Sequence, residues 1–201
     1  MKISHILITI AYLVLAPELV LAHPQLALGS AVGALAGFLH PFSGLDHLLA
    51  MTTIGLLAAQ IGGRVAWLLP ATFIAAMIIG GLTGLATSAF FSVELGLALS
   101  VACLGVAVMF GGKLPTAFAC GMAAVFGFFH GHAHGTEIPE MASPFLYTAG
   151  FVAATSVLHA LGLAIGTAAK QHAHGITGLR LSGAAIATSG LVMTTAVCIA
   201  H

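Results

Sequence analysis

Charge is what this sequence has least of. Only 5% of its 201 residues are Asp, Glu, Lys or Arg, five basic and five acidic, where a soluble domain carries about 25%. So few charges cannot clothe an aqueous surface. With no basic stripe to follow a phosphate backbone, nucleic acid is excluded as a partner. Disorder is excluded as well, because 60% of the chain is hydrophobic and disordered chains are poor in such residues. Cysteine is scarce: Cys103, Cys120 and Cys198 stand singly in apolar runs with no CxxC pair. They read as small packing residues and do not report a redox compartment. The motifs GxxxxGKS/T, HExxH and GxSxG are absent, which removes the usual signs of a nucleotide-driven pump, a zinc protease or a serine hydrolase. What is plentiful is apolar surface, 25 glycines and 11 histidines, at a mean hydropathy of +1.13. The chain reads as an integral membrane protein whose chemistry lies in histidine.

Residues 1–22 read as a cleaved signal peptide, with Lys2 as the positive end, Ile6 to Leu15 as a short apolar core and Pro17-Glu18 as its break. Cleavage after Val20-Leu21-Ala22 leaves His23 as the mature N-terminus, outside the cytoplasmic membrane of a bacterium; an uncleaved anchor is the alternative. Residues 23–201 then form one domain. Apolar runs long enough to cross a bilayer fall at about 66–86, 91–111, 114–134, 145–168 and 178–200. Residues 26–61 read either as two short helices or as one helix interrupted at His40-Pro41. Basic residues collect on the cytoplasmic side, and Arg64, Lys113, Lys170 and Arg180 all fall there if the chain has six spans and all outside if it has seven. The expected fold is therefore all-α: a polytopic bundle of six transmembrane helices, the first interrupted at His40-Pro41.

An interruption at membrane depth is tolerated only where it is buried in protein or lines a polar cavity, and in transporters it marks the binding site. Gly29-xxx-Gly33-xxx-Gly37 in the first span and Gly127-xxx-Gly131-xxx-Gly135 in the fourth are ridges for close helix approach. Their placement at the head of each three-span half suggests an inverted repeat.

Asp46 and His47 lie inside the first span, and Glu94 lies near the start of the third. A carboxylate at the bilayer centre costs about 2.5–3.5 kcal/mol on insertion scales, so each needs a positive partner. With no Lys or Arg deep in a span, that partner is a proton, a histidine or a bound cation. His130, His134 and Glu137, spaced i, i+4 and i+3, put two imidazoles and a carboxylate on one helix face. His40 and His47 share a face if the helix persists through Pro41. Imidazole with carboxylate suits Ni, Co, Zn, Cu or Fe rather than Mg or Ca, and the lack of thiolates disfavours Cu(I). His132 points off that face, Glu140 follows Pro139, and His159 reads as a satisfied core histidine. His172 and His174 lie in a loop between spans. His23, with its α-amine and imidazole, is a candidate for metal capture.

At these residues a resemblance becomes specific. His40-Pro41-Phe42-Ser43-Gly44-Leu45-Asp46-His47 resembles the first-span signature of the HupE/UreJ family of nickel/cobalt transporters, and Phe129-His130-Gly131-His132-Ala133-His134-Gly135-Thr136-Glu137 resembles its fourth-span motif. The resemblance implies secondary uptake of Ni(II), or Co(II), with no prosthetic group and no catalysis. It marks His40, Asp46, His47, Glu94, His134 and Glu137 as functional, and less strongly Phe73 and His130. The partners implied are the metal ion and the lipid bilayer, with a homo-oligomer left open. The competing reading is an intramembrane zinc-dependent hydrolase of lipid amides, built on His130, His134, Asp46 and His47.

Overall fold

The computed structural model describes residues 29–87, 93–138 and 143–200. The expected signal peptide, His23 and Glu140 lie outside them. Among the described residues there are seven α-helices and no strand: α1 (Gly29–Ser43), α2 (Leu45–Ile61), α3 (Val65–Ala86), α4 (Val93–Phe110), α5 (Thr116–Thr136), α6 (Pro144–Lys170) and α7 (Gly175–Ala200). The last five match the expected apolar runs. Four helices, α3, α4, α6 and α7, are long and apolar enough to cross a membrane, and α1 with α2 passes the same test as a bent pair. α5 has the length, with 21 residues, but His130, His132 and His134 lower its hydropathy. Large apolar side chains on the outer faces, Trp67, Leu82, Phe145 and Ile199 among them, are exposed, as a lipid-facing surface requires.

The interruption is real but displaced from the expected His40-Pro41. α1 continues through Pro41 to Ser43, and the chain bends by 84° at Gly44. Pro41 removes a single backbone donor, which a helix already close to its end survives. Ser43 Oγ donates to the His40 carbonyl at 2.8 Å, taking up one of the terminal acceptors. Gly44 is extended, with φ −102° and ψ 124°. A Cβ there would stand 2.6 Å from His47 Nδ1 and 2.7 Å from Asp46 Oδ1, so the next turn folds back over a Cα that has to be bare.

Packing is by backbone contact. A Cβ on Gly127, Gly131 or Gly135 of α5 would run into the carbonyls of Phe73, Met77 and Gly81 of α3, so the expected ridge lets the two helices lie parallel with nothing between them. α2 and α6 also run parallel, with Gly55 against the His159 carbonyl and Gly162 against the Thr52 carbonyl. α4 and α7 are antiparallel, Gly105 meeting Ala187 and Gly190 meeting Ala102. Counting α1–α2 as one unit, exchanging the two halves of the chain maps the α2–α6 pair onto the α5–α3 pair and the α4–α7 pair onto itself. This pairing is the pattern that the expected inverted repeat would give.

The ends of the bundle differ in character. Gln60 Nε2 donates to the Val108 carbonyl at 3.1 Å, and Lys170 Nζ donates to the Ala59 carbonyl at 2.9 Å. These contacts gather the C-termini of α2, α4 and α6 at one end, which carries Arg64, Lys113, Lys170 and Arg180. The α1–α2 bend, the C-terminus of α5 and the N-termini of α4 and α6 lie at the other.

Candidate metal centre

The polar residues of the first and fourth apolar segments meet at the end away from the basic residues. Asp46 sits in the first turn of α2, where the helix dipole favours a negative charge. His47 Nδ1 lies 2.7 Å from Asp46 Oδ1. An ionised carboxylate can only accept, so the ring donates from Nδ1 and its Nε2 keeps a lone pair. That Nε2 stands 2.5 Å from His134 Nε2. A proton has to lie between them, and His134 Nε2–H donates it. His134 Nδ1 is then bare, buried without a hydrogen-bond partner, and 3.9 Å from Glu137 Oε2. Each of the two imidazoles therefore has a carboxylate on its Nδ1 side and its Nε2 aimed at the other.

Three more groups close round this pair. The His40 ring centroid lies 4.5 Å from that of His134 and 5.9 Å from that of His47. Donor atoms of His40, His134 and Glu137 all lie within 4.8 Å of one another, a grouping able to hold a metal ion. Glu137 is exposed at the mouth while His134 is buried. His130 lies one helical turn deeper, its ring 5.2 Å from His47, with Nδ1–H donating to the Phe126 carbonyl at 2.9 Å and a buried Nε2 that has no hydrogen-bond partner. Glu94 is close enough to Glu137 for their charges to interact, because Val93 and Leu97 of α4 pack on Ala133 of α5. Beside His134, Met77, Gly131, Gly135, Tyr147 and Phe151 line a cavity of about 20 Å³, room for one water or one ion.

The family whose model matches residues 11–193 is described as HupE / UreJ protein. Protein HupE of Rhizobium leguminosarum bv. viciae is 42% identical over 193 residues, covering 96% of this chain and 98% of that one. The chain belongs to the HupE/UreJ family. No solved structure matches it.

Of the residues singled out from the sequence, His40, Asp46, His47, His130, His134 and Glu137 are brought together, and Glu94 stands beside them. Phe73 is fully buried below this group, between His130 at 5.6 Å and His159 at 5.2 Å, centroid to centroid. His132 turns away as expected: it stacks on Phe128 and its Nδ1 lies 3.3 Å from Thr83 Oγ1. The cysteines stand apart, Cys103 and Cys198 on exposed faces. His40 and His47 meet through the 84° bend rather than along one helix face.

Two findings were not expected. Phe151 covers the centre, its ring 4.3 Å from His134, with Tyr147 6.1 Å from His40. Neither aromatic residue carries a signal that separates it from an ordinary core residue. His159 is buried as expected of a core histidine, but both its ring nitrogens lack a hydrogen-bond partner.

Proposed function

We propose that this chain is a secondary transporter that takes up Ni(II), with Co(II) as a second substrate, across the bacterial cytoplasmic membrane. It does so through six spans that follow a cleaved signal peptide, residues 23–201 forming one transport domain. The family is one of nickel/cobalt transporters, which supports the class of function. The observation that carries the reading is the pair of convergent nitrogens, His47 Nε2 and His134 Nε2, each backed by a carboxylate.

Carboxylates behind imidazoles fix ring orientation and raise basicity, the arrangement that serves divalent transition metals. An ion arriving at the mouth meets Glu137 and His40 first. It then enters between the His47 and His134 rings, which part to admit it, and the His134 proton shifts by exchange with water from Nε2 to Nδ1, on the side of Glu137. Both Nε2 lone pairs thereby face the ion, while Asp46, Glu94 and Glu137 balance its charge. The shared end of the four basic residues supports that end as cytoplasmic and the mouth as periplasmic. His23, beyond the described residues, would assist capture on that side. The alternative of a zinc-dependent hydrolase of lipid amides finds no support in the family match.

Cells expressing the protein are expected to accumulate radioactive nickel and cobalt, each competing with the other, and cells expressing His47→Ala at equal membrane levels are not. Equal accumulation by the two strains would overturn the proposal.

A further inference from the structure

One buried histidine takes no part in the centre described above. His159 of α6 is 3% exposed, and neither Nδ1 nor Nε2 has a hydrogen-bond partner. Burying such groups unpaired costs about 1–3 kcal/mol, which a purely packing residue such as Leu would avoid. Ionisable side chains at membrane depth line pathways for ions far more often than they serve packing.

Its position continues the outer site. Phe151, Thr155 and His159 recur every four residues along one face of α6, steps of about 6 Å. Phe151 touches the His134 ring. One turn on, the single hydroxyl proton of buried Thr155 faces the thioethers of Met51 at 3.3 Å and Met77 at 3.8 Å, two soft sulfur donors in the core. One turn further is His159, and the Phe73 ring touches both histidines, tilted against His130 at 5.6 Å and edge-on to His159 at 5.2 Å, centroid to centroid. His130 Nε2 is the other orphaned nitrogen on this line. Beyond His159 a groove of about 660 Å³ opens between α3 and α6. Its lining is mostly apolar, with Ser156, Thr167 and Gln171 as polar residues besides His159, and it opens on the lipid-facing side where Trp67 is exposed.

We propose that His159 is an inner ligand for the transported cation, receiving it from His130 past the Phe73 ring. This rests on the transport reading above. The inner station differs from the outer one in chemistry. Three carboxylates surround the outer site, whereas His130, His159, Thr155 and the two thioethers are all neutral donors. An ion is therefore held less firmly within than at the mouth. A path needs its deeper site to be weak enough to leave, and a neutral set of nitrogen and sulfur donors meets that need while still selecting a transition metal over Mg(II) or Ca(II).

The test uses the full chain purified in detergent and reconstituted into liposomes, with wild type, His159→Phe and His159→Gln compared. Equilibrium dialysis measures nickel binding, and radioactive nickel entry measures the transport rate. Both variants are expected to bind nickel as wild type does at the outer site but to transport it at least about tenfold more slowly, the scale on which a lost ligand-shell group acts. Wild-type rates in both variants would overturn the proposal. Loss of binding together with transport would also overturn it, by making His159 part of the outer site. So would failure of both variants to elute as folded protein, since that assigns His159 to the architecture. If wild-type protein itself moves no nickel while His159→Phe binds normally, the transport reading has failed, and the inner station with it.

Discussion

His47 and His134, 87 residues apart in the chain, place their Nε2 atoms 2.5 Å from each other. With His40, which lies against His134 and Glu137, this contact ties the two halves together at groups with affinity for a metal. It forms because the bend at Gly44 turns α2 toward the C-terminus of α5. The two carboxylates behind the rings leave the two Nε2 atoms turned toward each other.

Removing charge at Asp46 tests that arrangement with least disturbance. Asp46→Asn keeps the shape of the side chain but takes the negative charge from behind His47. Nickel accumulation is expected to fall at least tenfold, in line with the roughly 10–100-fold effect of losing a partner of a metal-ligating histidine. Membrane levels by immunoblot should stay normal, because Asp46 is partly exposed at a helix start rather than buried in the core.

Gly44→Ala is expected to abolish uptake for a steric reason. Its new Cβ would collide with His47 Nδ1 and Asp46 Oδ1, both held in one hydrogen bond, so the pair must separate. Gly121→Ala in α5 is the matched control: nothing lies within 4 Å of the added carbon, and alanine is the better helix former. Radiometal uptake by the two variants should therefore diverge.

Gly131→Ala is expected to destabilise the bundle by about 1–3 kcal/mol, the range for overpacking a filled interior. The methyl group would enter the Met77 carbonyl, which is backbone and cannot swing aside. A lowered midpoint of thermal unfolding in detergent, relative to Gly121→Ala, checks this.

Reporter fusions after Arg64, Lys113 and Lys170 are expected to read cytoplasmic, and fusions near Ser88 and Met141 periplasmic. These positions alternate between the basic end and the mouth if α3 to α7 each cross once. The opposite pattern would put the mouth of the centre in the cytoplasm and turn uptake into export.

Much of this was legible in one dimension. The apolar runs locate α3 to α7 because a bilayer imposes length and composition on any crossing helix. His130, His134 and Glu137 declare a common face through their spacing, and Asp46 and His47 stand out because charge has no other reason to be in such surroundings. Pro41, with its missing donor, and Gly44 both point to a break in the stretch from His40 to Gly44, and the bend falls at Gly44 because of side chains that only meet after folding. Phe151 and Tyr147 went unseen for a similar reason: an aromatic residue in an apolar helix looks the same whether it covers a ligand or another helix. His159 looked satisfied because a sequence does not show whether a buried nitrogen has found a partner.

The backbone contacts between parallel helices also fix where the molecule is stiff. α3 with α5, and α2 with α6, each meet carbonyl to glycine along much of their length, which leaves little room to slide, so each pair tilts as a single lever. The imidazoles of His130 and His134 ride on the first lever with Phe73. His47 and His159 ride on the second with Phe151. The soft coordinate is then the seam between the levers, and His47 faces His134 and His130 across it, as Phe73 faces His159. A small rocking motion would spread the histidines at the mouth while closing those at depth, so one hinge movement serves both capture and release.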